Sequence, residues 1–183
     1  MEVFSMKNLK LFICLLAVTT FLLMGGLARA EMIKAEVFLS TEKGPGAHIG
    51  TVTFTDTPAG LEIKTDLRGL PPGKHGFHVH EKADCGAVEK EGKAVPAMAA
   101  GGHYDPEKTG KHLGPDGGGH LGDLPVLDVA ADGTAKVVMT AKKPKALDFK
   151  DRSLMIHAGG DNYSDDPVPL GGGGARMACG LIE

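Results

Sequence analysis

Residues 75–80 read His75-Gly76-Phe77-His78-Val79-His80. Successive side chains of a β-strand point to opposite faces, so Phe77 and Val79 share one face while His78 and His80 share the other. The segment therefore predicts a half-buried strand with two imidazoles in phase on its outer side. A lone histidine there would be an ordinary surface residue. Two of them, opposite two apolar residues, point to a shared ion.

The same alternation recurs on both sides. Ile33, Ala35, Val37 and Leu39 alternate with Lys34 and Glu36, and the Gly44-Pro45-Gly46 stretch signals a turn. A second strand is expected around 50–55 and a third at 61–67, where Leu61, Ile63 and Leu67 alternate with Glu62, Lys64 and Asp66. Downstream, strands are predicted around 126–129, 135–140 (after the Ala131-Asp132-Gly133 hairpin signal), 154–156 and 177–181. No helical period is evident. Eight short strands imply an all-β fold: an eight-stranded antiparallel Greek-key β-sandwich or barrel, in one domain, with two long functional loops.

Those loops run from Glu81 to Leu124 and from Ala158 to Ala175. Loops this long are functional or disordered. The second half of the first, residues 101–123, reads GGHYDPEKTGKHLGPDGGGHLGD, with eight glycines, His103, His112, His120 and Asp123. It has too little apolar content to fold by burial. Three imidazoles and a carboxylate are a closed ligand set of the kind that zinc takes in structural sites, and an ion would supply the missing order.

The first thirty residues read as a leader. Lys7 and Lys10 precede an apolar run, Leu11 to Leu23, and Ala28-Arg29-Ala30 offers a cleavage site, so the mature chain is expected to begin at Glu31. Met6 is an alternative start. Cys14 lacks the small-residue context of a lipid attachment site. Cleavage predicts an exported protein with no stable membrane association.

The whole chain has 20 basic and 23 acidic residues. Without Lys7, Lys10, Arg29 and Glu2 it keeps 17 and 22, a net charge of −5. No basic stripe remains to neutralise phosphates, which argues against a nucleic-acid partner. Cys85 and Cys179 are the two cysteines left. In an oxidising compartment they most simply pair, and two buried thiols are the alternative.

Six histidines now stand in three places: the strand pair, the loop triple, and His157 at a strand end. With Asp123 they make seven ligands, one fewer than two four-coordinate ions need. Imidazole can bridge two ions through its two ring nitrogens. A nitrogen-only set of His78, His80, His157 and a bridging histidine suits copper, and the mixed set with Asp123 suits zinc. Spacing does not say which histidine bridges.

Four segments resemble the copper/zinc superoxide dismutase family: residues 75–81 (HGFHVHE), 101–106 (GGHYDP), 119–125 (GHLGDLP) and 171–180 (GGGGARMACG). The leader and Gly159-Gly160-Asp161-Asn162 are most similar to its bacterial periplasmic branch. The resemblance implies copper on His78, His80, His103 and His157, and zinc on His103, His112, His120 and Asp123, with His103 as the bridge. It implies a Cys85–Cys179 disulfide, and Arg176 beside copper to orient the anion. Asp161 becomes a carboxylate linking ligands of the two metals, and His75 a structural histidine.

The implied activity is dismutation of superoxide to oxygen and hydrogen peroxide. Copper would cycle between Cu(II) and Cu(I), and His103 would take a proton when the bridge opens. The branch includes monomers and dimers, so a homodimer is one expectation. Lys90 and Lys93 could steer the anion, although Glu89 and Glu91 flank them. His48 receives no role. The rival reading is a non-catalytic copper/zinc-binding protein of the same fold. A zinc hydrolase fits less well, because four protein ligands leave zinc no open position for water.

Overall fold

In a computed structural model, residues 32–183 are described. The predicted leader, its Met6 and Cys14, and the cleavage site before Glu31 lie outside the described residues. No helix among the described residues is long and apolar enough to cross a membrane.

Eleven strands make the frame: β1 (Met32–Thr41), β2 (Gly44–Thr57), β3 (Gly60–Leu67), β4 (Gly73–His75), β5 (Phe77–His80), β6 (Val88–Lys90), β7 (Lys93–Val95), β8 (Leu127–Val129), β9 (Val138–Ala141), β10 (Arg152–His157) and β11 (Arg176–Ile182). Seven form one antiparallel sheet in the order β5-β10-β11-β1-β2-β3-β9. A short β4–β8 pair and the Leu67–Ala135 bridge help to curl it into a Greek-key barrel.

The core follows the period-two pattern. Ile33, Ala35 and Val37 of β1, Val52 and Phe54 of β2, Leu61, Ile63 and Leu67 of β3, and Phe77 and Val79 of β5 are all buried in one cluster. Phe54 meets Phe149 edge-on at 5.9 Å. Each fully buried side chain of this size contributes about 1.5–3 kcal/mol.

Each of the eight predicted segments overlaps a strand, but eleven strands stand among the described residues. The 75–80 segment breaks at Gly76 into β4 and β5, and two strands are added in the first loop; further details differ. The turn between β1 and β2 falls at Glu42-Lys43, so Gly44-Pro45-Gly46 continues into β2. The long first loop contains a hairpin, β6–β7, that was not expected. On β11, Ala178 and Ile182 join the main core and Met177 packs partly against it, while Cys179 lies in a separate small cluster and Leu181 is exposed. Cys179 is disulfide-bonded to Cys85, 94 residues away, and the bridge sits in a small cluster with Ala97, Ala100 and Met155. The bridge ties the first loop to the outer face of the sheet.

Candidate metal centre

Strand β5 carries the first two histidines as its period requires: Phe77 and Val79 enter the core, and His78 and His80 are buried on the opposite face. One edge of β5 pairs with β10. The other edge is taken by the histidine loop. Val79 N–H donates to Gly122 O at 2.8 Å, Tyr104 N–H to Val79 O at 2.8 Å, and Leu124 N–H to Phe77 O at 3.2 Å. The loop thus adds itself to the sheet as an irregular strand. This pairing sets His103 across from His80 and Asp123 across from His78. Gly122 is required there, since a Cβ would strike the Val79 carbonyl. Arg152 pins the same loop, its guanidinium 3.5 Å from the Tyr104 ring centroid and its Nη1 donating to Glu81 O at 2.8 Å.

Hydrogen bonds choose which ring nitrogens remain free. His78 Nε2 donates to Asp161 Oδ2 and His112 Nε2 to Asp161 Oδ1, both at 2.7 Å. His80 Nδ1 donates to Gly101 O at 2.9 Å, and His157 Nδ1 to Gly174 O at 3.2 Å. A carbonyl or carboxylate oxygen can only accept, so each of these nitrogens carries a proton, and in a neutral ring the other one keeps a lone pair. His80 Nε2 and His157 Nε2 then face each other at 3.4 Å with two lone pairs and no proton between them. Only a shared cation makes that arrangement favourable.

The second group surrounds Asp123. His103 Nδ1 and His112 Nδ1 each lie 3.0 Å from one of its oxygens, and His120 Nδ1 lies 3.4 Å away. Four ligands around a tetrahedral ion at the usual zinc distances are about 3.3 Å apart. His78 Nδ1, His103 Nε2, His112 Nδ1 and His120 Nδ1 are buried without a hydrogen-bond partner. Each such orphan costs about 1–3 kcal/mol. Metal ions at the two foci would satisfy all four, so the residues fit the two ions.

Two sets of ligand atoms lie mutually within 4.8 Å: His78, His80, His103 and His157, and His78, His103, His112 and Asp123. His120, expected in the second set, belongs to neither, although its Nδ1 lies 3.4 Å from Asp123 Oδ1. His78 appears in both, but its free Nδ1 belongs with the all-histidine set. His103 also appears in both, and it alone has one nitrogen at Asp123 and the other buried without a partner.

The charge state suits ligation. Burial, reinforced by neighbouring His78, pushes His157 down to about 3, and burial brings His103 down to about 4 against the pull of Asp123. Burial likewise lowers His78 and His80. Burial opposes charge on Asp123 and Asp161, yet their histidine partners hold both well below the usual carboxylate range. His112 is the exception: burial is outweighed by Asp123 and Asp161, which raise it to about 9.

These shifts predict the pH profile of the metal-free protein. Histidines lowered in the fold bind fewer protons than they do unfolded, so their stabilisation holds above pH 6.5 and is lost as pH falls. The depressed Asp123 and Asp161 lose theirs further down. His112, raised, stabilises below 6.5 and loses that contribution as pH climbs through 9. The urea midpoint of metal-free protein is expected to peak near neutrality and fall on both sides, more steeply toward acid. A midpoint higher at pH 5 than at pH 7 would contradict this assignment.

Arg176 begins β11 and its guanidinium is half-buried. Nη1 donates to Ala97 O at 2.7 Å and Nη2 to Gly101 O at 2.6 Å. Its charge also helps keep His80 and His157 unprotonated. Gly101 O is therefore shared between Arg176 and His80. Gly101, Gly174 and Ala97 escape a sequence reading because they act through backbone carbonyls.

The remaining histidines stand apart. His75 is buried, with Nδ1 2.9 Å from His157 O and Nε2 2.9 Å from Pro71 O, and so clamps the end of β10. His48 is exposed, 2.8 Å from Glu36. Lys90 and Lys93 face each other across the exposed β6–β7 hairpin, and no hydrogen bond or ion pair among the described residues joins them to the cluster.

A Greek-key barrel whose edge strand and one loop bring two adjoining histidine sets together around a shared imidazole defines a two-metal β-barrel protein. The chain belongs to the copper/zinc superoxide dismutase family, whose model matches residues 48–182. It is 53% identical over 179 residues to the Cu-Zn superoxide dismutase of Escherichia coli K12, covering 97% of this chain and all of that protein. Among solved structures, the Cu/Zn superoxide dismutase from Brucella abortus superposes with a TM-score of 0.81 at 53% identity, over 84% of this chain and all of that one. The monomeric copper, zinc superoxide dismutase from Salmonella enterica gives 0.74 at 54% identity, over 85% of this chain and all of that one. Family membership therefore does not impose a dimer.

Proposed function

We propose that this chain dismutes superoxide to oxygen and hydrogen peroxide, with one copper on His78 Nδ1, His80 Nε2, His103 Nε2 and His157 Nε2. One zinc would be held by the Nδ1 atoms of His103, His112 and His120 with Asp123. The observation that carries the reading is His103, whose two ring nitrogens face two different ligand sets.

Bound copper supplies a one-electron couple that oxidises one superoxide and reduces the next, while bound zinc is structural. The chain's own residues do the rest. Arg176 attracts and orients the small anion, with its fork fixed by Ala97 O and Gly101 O. His103 Nε2, when it is not engaged by a metal, would hold a proton and deliver it, together with a second proton from water, to the reduced anion. His103 Nδ1, against Asp123, keeps the ring in place while that happens. Asp161 fixes the tautomers of His78 and His112 with one carboxylate.

The basic start, apolar run and Ala28-Arg29-Ala30 site support a leader over 1–30, removed to release a mature domain of 31–183 in the periplasm. There the enzyme would protect the compartment from superoxide, acting on the free anion, with no nucleic-acid or stable membrane partner. The test is metal analysis with a superoxide assay on the mature chain. One copper and one zinc per chain with rapid dismutation is expected, and activity no greater than that of free copper would sink the reading.

Arg176→Ala is expected to keep both metals and slow dismutation roughly tenfold, the equivalent of losing about 1.5 kcal/mol of charge-assisted contact. The second-order rate constant, followed by rapid mixing beside metal content, checks it. An unchanged rate constant removes the assigned role.

A further inference from the structure

The two long loops meet at a carboxylate outside both ligand sets. Asp165, exposed and four residues past Asp161, accepts the His112 N–H at Oδ2 (2.9 Å) and the Leu170 N–H at Oδ1 (3.1 Å). Those two bonds hold its carboxyl below the ordinary range, so it is charged at neutral pH. Tyr163 reinforces the junction. Its ring lies so close over Gly114 that a Cβ there would collide with it, and its hydroxyl accepts the Val126 N–H at 2.9 Å. Tyr163 and Leu170 both have positive φ, 59° and 56°, a conformation that persists in a non-glycine residue only when its surroundings impose it.

His112 needs such support. It lies outside every strand. Asp161 fixes its ring, but its backbone N–H goes to Asp165. The neighbouring backbone is held by Leu113 N–H to Asp123 Oδ2 at 3.3 Å and by His120 N–H to Lys111 O at 3.0 Å. Asp165 is thus the backbone anchor of this segment that comes from the 158–175 loop, beside the ring contact made by Asp161.

We propose that Asp165 is a positioning residue for the second metal site: it latches residues 111–113 to the 158–175 loop without any ion and presents His112 Nδ1 in its ligand position beforehand. The inference rests on the zinc assignment above. A ligand ordered in advance spares the ion the cost of ordering it, so the latch contributes to affinity although it touches neither the ion nor the imidazole.

The experiment compares the metal-free parent with Asp165→Asn and Asp165→Ala. Zinc affinity is read by competition with a chromophoric chelator, and amide exchange is followed at His112, Leu170 and the core strand β2. Supporting partners of metal ligands are typically worth 10–100-fold in affinity. Asp165→Ala is expected near the lower end, about tenfold weaker for zinc with copper affinity unchanged. Asp165→Asn should fall between, because its amide keeps one acceptor oxygen. Exchange should quicken at His112 and Leu170 while the amides of β2 stay protected. Zinc affinity within twofold of the parent in Asp165→Ala overturns the proposal, as does a loss shared with copper and with protection in β2. A parent that binds no zinc sinks the zinc assignment and this inference together, whereas a tight-binding parent beside an unchanged variant sinks this inference alone.

Discussion

Replacing His103 with alanine is expected to strip both metals from the protein. Its Nδ1 lies 3.0 Å from Asp123 and its Nε2 is buried without a partner on the other side of the ring. On the proposed assignment, removing the ring takes a ligand from each ion and leaves a cavity between them. The loss should exceed the 10–100-fold that follows removal of a mere supporting partner. Dismutation should fall to that of free copper. His112→Ala, by contrast, removes one zinc ligand and one of the two imidazoles on Asp161, so zinc should leave while copper stays. Metal content of both variants after dialysis against a weak chelator decides the matter. The same loss pattern in the two would count against His103 as the shared ligand.

Replacing Cys85 and Cys179 together with serine should give the largest stability effect. The bridge closes a loop of 94 residues' separation, for which chain-entropy reasoning gives about 4–5 kcal/mol. Domains have only about 5–15 kcal/mol in total. With a urea slope of about 2 kcal/mol/M, the midpoint should drop by about 2 M. The effect should also reach the site, because residues 97–101 lie in the tethered loop and supply both carbonyls that hold Arg176. A midpoint within about 0.3 M of the parent would show that the loop is held by other means.

What could be read in advance depended on whether side chains or backbone carried the information. Phe77 and Val79 against His78 and His80 were legible because a strand's period is two and both faces are marked. His103, His112, His120 and Asp123 were legible as a group because a glycine-rich loop has little other reason to hold them. The core face of β11 was not, since Ala178 and Gly180 give no apolar signal. The β6–β7 hairpin was hidden for a related reason. It buries neither face, and its turn uses Glu91-Gly92 with φ of 54° and 77° in place of the more telling Asn-Gly. Asp161 was reached through family resemblance, because its role depends on two loops that meet only in the folded chain.

The carbonyl of Gly101 receives both the imidazole N–H of His80 and the guanidinium of Arg176. With the roles proposed for Arg176 and His80, substrate capture and the electronic setting of the redox ion would both hang from one peptide group. An engineer who shifts the arginine to favour a different anion would then also alter how strongly His80 donates to a bound metal. On that assignment, selectivity and reduction potential would form a single design variable.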